Sequence, residues 1–478
     1  MRQSKNRSKR GWLWLALGVP GLLAILGLAC CTRLPTLSPE LSRSARTPLI
    51  IEGANGPLSA RQAKAILLRL SESAPATGIF DRHLALEEAI NGSPLSAGNA
   101  VQLLQDGPAT YRAMFAAILA AQDHINMETY ILDDDEVGQR FAQALIEKQR
   151  AGVQVNLLRD SAGTMATPAA FFERLRAAGI AELAFNPLNP VQALGERSEW
   201  ELNQRDHRKL LIVDGRIAFL GGINISSVYS GGSFKSGSRA AKTANAQSGL
   251  AWRDTDLQLQ GPVVAGLQRL FIASWQAQQG PPLAARHYFP ALPAVGREVV
   301  RAIGSSPDEP FSLIYATLLS AIASAETSVH LTNAYFVPDP RLLAALIDAA
   351  QRGVDVSLIL PGKSDSQLVL QAGRASYAPL LQAGVKIFEH QGAILHAKSA
   401  SIDGVWSTVG STNLDWRSFV HNQELNAVVL GADFGAQLQA LFERDLRAST
   451  QISWAMWQQR PLSARLQEWF ASAWAYWL

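Results

Sequence analysis

The chain has 478 residues, of which 48% are hydrophobic and only 17% are charged, so it is long enough for two or three globular domains and is not a disordered chain. The formal net charge of +3 depends on five basic residues among the first ten, and the other 468 residues hold 38 basic and 40 acidic side chains. This slightly acidic body excludes the basic surface of a general nucleic-acid-binding protein.

The N-terminus, residues 1–31, has the features of a signal sequence or a single membrane anchor. The basic residues precede Gly11–Ala29, a run of nineteen residues without a charged side chain. Because basic residues stay on the cytoplasmic side, we predict that the basic end lies in the cytoplasm and the rest of the chain outside it. Cys30 and Cys31, the only cysteines, follow directly and could form a lipoprotein site after cleavage. We favour an uncleaved anchor over cleavage and lipidation.

Residues 32–105 are predicted to be a linker followed by a helical region. The segment Thr32–Pro57 is rich in Pro, Ser, Leu and Arg, as linkers often are. Apolar residues recur at helical spacing within Ala60–Leu103, so a helix is expected there. We find no candidate catalytic residues in this part of the chain.

Residues 106–285 and 286–448 are predicted to be two copies of one α/β unit. The elements, first copy before second, are a strand (Ile125–Leu132, Val329–Phe336), a helix opened at Glu136 or Pro340 and ended at Gly152 or Gly353, and another strand (Val153–Leu158, Val354–Leu360). Strand, helix and strand at this spacing predict a right-handed βαβ unit in a parallel or mixed sheet.

Each copy carries the same cluster of polar residues at the same spacing. A histidine, a lysine and an aspartate follow the pattern H-x-K-x4-D, and a glycine and an asparagine lie 14 and 17 residues beyond the histidine. The residues are His207, Lys209, Asp214, Gly221 and Asn224 in the first copy and His396, Lys398, Asp403, Gly410 and Asn413 in the second. Identical spacing in both copies indicates that one structural unit occurs twice and retains its chemistry.

Two histidines and two lysines that converge where the copies meet suit chemistry on an anionic phosphodiester. Residues i and i+2 of a strand share a face, so the histidine and lysine of each motif should point the same way. One imidazole can attack phosphorus while the other protonates the leaving alcohol, and the lysines can neutralise the non-bridging oxygens. Neither H-x-K pair is accompanied by further ligands at metal spacing, so we expect that the reaction requires no metal.

Four further side chains are assigned to substrate binding. The candidate uncharged donors to the phosphodiester oxygens are Asn224 and Asn413. Asp254 and Glu424 each lie seven residues before a glycine, and they are candidates to hold the far ring nitrogen of a histidine. The two motif aspartates are expected to be structural partners at a strand end and not proton carriers, because each is followed by glycine.

Two insertions distinguish the first copy from the second. Sixteen extra residues lie within Asn186–Arg205, and nineteen more lie between Asn224 and Asp254. The second insertion, Gly231–Gly249, is rich in Gly, Ser and Ala, and its charged residues are Lys235, Arg239 and Lys242. A mobile basic loop beside a phosphodiester site could attract lipid headgroups and limit the entry of water; the alternative is a surface loop with no role.

At these residues the sequence resembles the phospholipase D superfamily, and within it the bacterial cardiolipin synthases. The shared marks are the duplicated H-x-K-x4-D motif and the following G-[GS]-x-N, and the likeness covers about Pro108–Leu478. The resemblance implies an α/β fold of two βαβ repeats related by a pseudo-twofold axis, with the site at their seam. It further implies a phosphohistidine intermediate, for which we favour His207 as nucleophile and His396 as general acid and then base, and no cofactor.

Residues 449–478 are predicted to form an amphipathic C-terminal helix. One helical stripe contains Leu462, Leu466, Trp469, Phe470, Ala473 and Trp477. Tryptophan at this density suits the headgroup region of a bilayer, and the alternative is that the stripe packs on the protein's own core.

Similar synthases transfer a phosphatidyl group from one phospholipid to the glycerol headgroup of phosphatidylglycerol. The leading hypothesis is therefore a membrane-bound phosphatidyltransferase that makes cardiolipin, with phospholipid and membrane as its partners. A phospholipase D that hydrolyses phospholipids to phosphatidic acid is the alternative, because water can discharge the same intermediate. A nuclease is disfavoured by the acidic body, and a non-enzymatic membrane scaffold by the two intact motifs. The sequence leaves the oligomeric state open.

Overall fold

The computed structural model describes residues 50–72, 77–80, 93–188, 203–231, 251–309 and 311–478. The predicted N-terminal membrane segment with Cys30 and Cys31 lies outside these residues, as do nearly all of the Gly231–Gly249 insertion and most of the earlier one. Within the described ranges, no helix combines the length and the hydropathy needed to cross a bilayer.

Strands account for much of the described chain. They are β1 (Ile51–Gly53), β2 (Gly56–Pro57), β3 (Leu95–Leu104), β4 (His124–Thr129), β5 (Gln154–Asp160), β6 (Ala181–Phe185), β7 (Arg205–Asp206), β8 (Leu210–Val213), β9 (Ile217–Gly221), β10 (Trp252–Arg253), β11 (Asp256–Gln260), β12 (Glu298–Ser305), β13 (Ser328–Asn333), β14 (Asp355–Pro361), β15 (Lys386–His390), β16 (Ile394–Leu395), β17 (Lys398–Ile402), β18 (Trp406–Gly410), β19 (Asn422–Leu430) and β20 (Ser449–Ile452).

Helices cover the faces of the sheet. They are α1 (Ala60–Glu72), α2 (Gly107–Ala120), α3 (Glu136–Arg150), α4 (Ala169–Ala177), α5 (Val263–Ala277), α6 (Leu313–Ser324), α7 (Pro340–Gln351), α8 (Gln367–Arg374), α9 (Tyr377–Gln382), α10 (Trp416–Val420), α11 (Ala432–Arg447), α12 (Trp454–Gln458) and α13 (Leu462–Ser472). Short 3-10 turns occur at Ser227–Tyr229 and Ala475–Trp477.

The two halves repeat one another strand for strand. In the first half β6, β5 and β4 are parallel, and β8, β9, β11 and β3 follow with antiparallel pairing. In the second half β15, β14 and β13 are parallel, and β17, β18, β19 and β12 follow in the same way. The antiparallel pair β3 and β12 joins the halves. The predicted βαβ units in a mixed sheet are therefore confirmed.

The helix boundaries of the two βαβ units follow from local sequence. Asp135 and Asp339 cap α3 and α7, since their carboxylates accept backbone N–H groups of the first turn, and Pro340 occupies the position where its missing N–H is harmless. Gly152 and Gly353 follow the helices with φ of 93° and 91°, a left-handed conformation that favours glycine. The predicted starts and ends of both helices are confirmed.

The prediction of a helix through Leu103 is wrong. Helix α1 is present, but Leu95–Leu104 is strand β3, which pairs with β11 on one edge and with β12 on the other. These partners lie about 150 to 200 residues further along the chain, and burial between two strands outweighs the weak local helical pattern. The region before residue 106 thus contributes the strand that bridges both halves.

One hydrophobic core is shared by the two halves. It includes Leu220 and Leu257 from the first half and Leu425 and Val429 from the second, all fully buried. Burial of each such side chain stabilises the fold by about 1.5–3 kcal/mol. The seam between the copies is therefore a packed interior, which holds the two motifs in a fixed relation.

The C-terminal segment 449–478 is not one helix. It contains β20, α12, α13 and the turn Ala475–Trp477, because Pro461 lacks the N–H that a continuous helix would need. The apolar stripe does not join the core: Leu462 is 74% exposed and Trp469 is 72% exposed.

Candidate active site

Each motif histidine is attached by its backbone to a strand of the opposite half. Strand β7 pairs with β19, and the N–H of His207 donates to the carbonyl of Gln423 at 2.9 Å. Strand β16 pairs with β10, and the N–H of His396 donates to the carbonyl of Arg253 at 2.7 Å. The next residue along each partner strand is one of the two carboxylates assigned from the sequence.

Those carboxylates bind the histidine rings across the seam. Nδ1 of His207 lies 3.1 Å from each carboxylate oxygen of Glu424, and Nδ1 of His396 lies 2.6 Å from Oδ2 of Asp254. Both carboxylates are 0% exposed. Each carboxylate accepts a hydrogen bond from Nδ1–H, so the proton stays on Nδ1 and each ring presents the lone pair of Nε2 for reaction. Each half of the molecule thus orients the histidine of the other.

The residue two before each motif asparagine, Gly222 in the first copy and Ser411 in the second, lies against one of these carboxylates. A Cβ added at Gly222 would lie 2.3 Å from a carboxylate oxygen of Asp254, so glycine is required for the carboxylate to reach its histidine. The corresponding residue of the second copy is Ser411, whose hydroxyl donates to Oε2 of Glu424 at 2.5 Å. The two copies therefore support equivalent carboxylates in different ways.

Burial lowers the pKa of both motif imidazoles. Burial lowers the pKa of His207 to about 4, against the opposing effect of Glu424. Burial and the neighbouring Lys398 lower the pKa of His396, and Asp254 opposes them. For Glu424, burial acts to raise the pKa, but His207, Lys209 and Ser411 together hold it below its usual value. A neutral ring beside an ionised carboxylate is the form that can attack phosphorus.

The motif lysines lie behind the histidines. The amino group of Lys209 donates to the carbonyl of His207, and that of Lys398 donates to the carbonyl of His396 and lies 3.1 Å from its Nδ1. Burial lowers the pKa of Lys209 to about 7 and also lowers that of Lys398. The amino groups of both lysines therefore contact protein atoms behind the rings, whereas the sequence predicted that they neutralise the non-bridging oxygens of the substrate.

Both histidines open into one cavity of about 360 Å³. Its lining comes from both halves and from the C-terminus: Tyr130, Ile131, Arg205, His207, Asn224, Trp252, Tyr335, Asp365, Ser366, Val369, His396, Asn413, Asp415, Arg417, Asn422, Trp477 and Leu478. The cavity combines two arginines and two aspartates with aromatic and uncharged polar groups. Polar groups of this kind fix the orientation of a bound ligand.

The two asparagines line this cavity in different states. The side chain of Asn224 is engaged, since its Nδ2 donates to Tyr229 at 3.0 Å and its Oδ1 accepts the N–H of Ile131 at 3.0 Å. Asn413 is buried, and its Oδ1 meets no hydrogen-bond donor among the described residues. Of the two, Asn413 is the one whose side chain is available to a ligand.

The motif aspartates lie at the far ends of their strands from the histidines. Asp214 follows β8 and accepts the N–H groups of Gln122, Asp123 and His124. Asp403 follows β17 and accepts those of Glu326, Thr327 and Ser328. Their φ values of 53° and 52° place both at tight turns. This geometry is that of strand-end partners, and it lies outside the cavity.

Several cavity residues were missed in the sequence. Tyr130 and Trp252 contact the rings of His207 and His396, with centroids 5.1 and 5.0 Å apart. The hydroxyl of Tyr335 donates to Asp365 at 2.8 Å. Burial raises the pKa of Asp415 to about 7. Tyr130 and Tyr335 occupy equivalent positions in the two copies, which was the available signal for them.

Two H-x-K histidines in one cavity, each held by a carboxylate of the other repeat, define a phospholipase D-type enzyme. The family model described as cardiolipin synthase, PLD-like domain, matches residues 114–231 and 318–446. The chain belongs to this family, and it is a phosphatidyltransferase of the phospholipase D superfamily.

Curated relatives agree with this assignment, and a solved structure shares the fold. A cardiolipin synthase of Geobacillus kaustophilus is 35% identical, over 80% of this chain and 74% of that protein. Cardiolipin synthase 1 of Bacillus anthracis is 33% identical, over 84% of this chain and 77% of the relative. The crystal structure of phosphatidylserine synthase from Haemophilus influenzae superposes with a TM-score of 0.54 at 12% identity, covering 78% of this chain and 92% of that one. At that identity the last likeness concerns the fold alone.

Proposed function

We propose that this enzyme makes cardiolipin by moving a phosphatidyl group between two phospholipids. Nε2 of His207 attacks the phosphorus of the donor lipid, the bond from phosphorus to the headgroup oxygen breaks, and His396 gives its proton to the leaving alcohol. The product of this half-reaction is a phosphatidyl group bound to His207 and a free headgroup alcohol. An anionic phosphodiester between the rings favours the imidazolium form of His396 that this step requires.

The second half-reaction uses the same groups in reverse. His396, now neutral, takes the proton from a glycerol hydroxyl of phosphatidylglycerol. The resulting oxygen attacks phosphorus, the bond to Nε2 of His207 breaks, and cardiolipin leaves. Since the acid of the first step becomes the base of the second, the site returns to its initial protonation state.

The observation that carries this proposal is the pair of carboxylate-bound rings in one cavity. Glu424 and Asp254 fix the tautomer in which Nε2 is free, and the two rings face a shared space that includes Arg205 and Arg417. The unpaired amide oxygen of Asn413 can accept a hydrogen bond from a hydroxyl group of the substrate.

The membrane is proposed as the place of this reaction. Both substrates are lipids, and the uncharged run at residues 11–29 has the composition of an anchor. We place the body on the periplasmic side of a bacterial inner membrane, with lipid attachment at the two cysteines as the alternative to an uncleaved anchor.

Incubation of the purified protein with phosphatidylglycerol vesicles, followed by separation of the lipids, tests the proposed reaction. Cardiolipin and free glycerol in equal amounts are expected. Phosphatidic acid as the main product would replace transfer with hydrolysis, and the absence of both products would contradict the proposal.

A further inference from the structure

The C-terminal segment presents six large apolar side chains to solvent. We define the C-terminal apolar face as Leu462, Leu466, Trp469, Phe470, Trp474 and Trp477. Their exposed fractions range from 39% for Trp474 to 74% for Leu462. Contiguous apolar surface of this kind marks a contact with another apolar body.

Helix α13 is held to the protein by its opposite side. Ala471 packs into a small core with Val337, Val369 and Ala372, and Glu468 is buried in an ion pair with Arg460 at 3.0 Å. The helix is therefore fixed in place while its apolar side remains uncovered by the described chain. The alternative prediction, that the stripe packs on the protein's own core, is therefore wrong for the described chain.

The C-terminal apolar face is continuous with the active-site cavity. Trp477 belongs to both, and the final residue, Leu478, also lines the cavity. The ring of Tyr476 contacts those of Trp416 and His421, with centroids 5.5 and 5.7 Å apart, which ties the chain end to helix α10. The cavity therefore opens beside the C-terminal apolar face, with Trp477 between the two.

The size of the cavity limits which part of a lipid it can hold. A volume of about 360 Å³ lies at the lower end of the range for small-molecule sites, which suits headgroups and not the acyl chains of two phospholipids. Each methylene group drawn from a bilayer into water costs about 0.8 kcal/mol. The acyl chains must therefore stay in an apolar environment next to the cavity mouth.

We propose that the C-terminal apolar face docks in the headgroup region of a phospholipid bilayer and so holds the cavity mouth against the lipid surface. Tryptophan is the side chain that favours this region, and three of the six residues are tryptophan. Between Leu462 and Leu478 the charged residues are Arg465 and Glu468, and the latter is paired, so the contact is apolar. This inference rests on the proposed function, because it assigns the docked lipids as the substrates.

A fluorescent label placed on the face reports docking even in a protein that is anchored elsewhere. The two native cysteines of the full-length chain are first replaced, as Cys30→Ser and Cys31→Ser. An environment-sensitive dye is then attached at Phe470→Cys, and Gln143→Cys on helix α3 is the matched control site. Phosphatidylglycerol vesicles should shift the emission to the blue at position 470 and leave position 143 unchanged. No shift at 470 would overturn the proposal. A blue-shifted emission at 470 that is already present without vesicles would assign the face to a second copy or to the chain's own N-terminal apolar run, and would overturn it too.

Activity on two forms of one substrate provides the functional test. In the full-length double variant Trp469→Ser, Phe470→Ser, turnover on vesicles should fall at least tenfold, whereas turnover on short-chain monomeric phosphatidylglycerol should stay within twofold of the wild type. The control, Leu119→Ser with Met165→Ser, removes two exposed apolar side chains elsewhere and should leave both activities unchanged. Equal activity of the double variant and the wild type on vesicles would overturn the docking surface. If the wild type forms cardiolipin from neither substrate, the proposed function fails instead.

Discussion

The carboxylates that orient the two histidines come from the opposite half of the molecule. The backbone of His207 is bonded to Gln423 and its ring to the next residue, Glu424. The backbone of His396 is likewise bonded to Arg253 and its ring to the next residue, Asp254. A single repeat therefore contains a motif histidine but lacks the carboxylate that orients its ring. The spacing within each copy does not reveal this exchange, because both carboxylates lie at equivalent distances from a glycine in their own copy.

Removal of one carboxylate charge should lower the chemical rate and spare substrate binding. In Glu424→Gln the amide can donate to Nδ1 of His207 and so favour the wrong tautomer, and we expect kcat to fall by about 10²- to 10⁴-fold, with KM within threefold and a displaced pH profile. The control is Glu182→Gln, which neutralises a carboxylate on strand β6 that pairs with Arg159 of strand β5. This variant should keep wild-type kinetics. Retention of most activity by Glu424→Gln would contradict the positioning role.

Asp415 should make the stability of the fold depend on pH. Burial raises its folded pKa to about 7 from an ordinary value near 3.8. As pH rises from about 4 to 7, the unfolded chain releases this proton before the folded protein does, so the folded state loses stability over that range. In Asp415→Asn the side chain does not ionise, yet its amide oxygen can still cap helix α10 as the carboxylate of Asp415 does by accepting the N–H of Ser418 at 2.8 Å.

The comparison of thermal unfolding at several pH values checks this expectation. The melting temperature of the wild type, relative to that of Asp415→Asn, should fall between about pH 4 and pH 7 and level off above the folded pKa. A difference between the two proteins that does not change with pH would show that Asp415 titrates normally.

Among the helices and strands, the features that the sequence predicted correctly are those set by neighbouring residues. The caps and glycine stops of α3 and α7 lie within a few residues of the helices that they bound, and their predicted positions are confirmed. Strand β3 was missed because its two partner strands are distant in sequence, and the C-terminal segment was divided by Pro461. Among cavity residues, Asp365 and Asp415 lie in loops or at a helix cap, where no periodic pattern reveals contact with the site.

The inserted loop Gly231–Gly249 remains a predicted element of the site. Its described flanks reach the second histidine, since the rings of Tyr229 and Trp252 lie 5.9 and 5.0 Å from that of His396. Replacement of Gly231–Gly249 by a short Gly-Ser link should leave the fold intact, lower turnover on anionic vesicles and raise the proportion of phosphatidic acid.

A charge-only variant separates the two roles of the loop. Substitution of Lys235, Arg239 and Lys242 by serine should lower turnover on anionic vesicles without changing the product ratio, because each basic residue contributes about 1 kcal/mol near an anionic surface. Wild-type rate and product ratio in the shortened protein would show that the loop has no part in the reaction.

For the whole molecule, the N-terminal charges predict its orientation in the membrane. The five basic residues before Gly11 should remain in the cytoplasm and leave the body in the periplasm. Protease added to intact spheroplasts should therefore digest the body. Complete protection until the cells are lysed would place the body on the cytoplasmic side.

We propose that one site, shared by both repeats, transfers a phosphatidyl group through His207. The decisive experiment denatures the enzyme at alkaline pH during turnover of phosphatidylglycerol labelled with ³²P in its phosphate, and then maps the labelled peptides at alkaline pH. We predict acid-labile label on the peptide that contains His207, its absence in His207→Ala, and its passage into cardiolipin when unlabelled phosphatidylglycerol is added. Label on the peptide of His396 would reverse the two roles. Cardiolipin formation at the normal rate in His207→Ala, without covalent label, would contradict the claim.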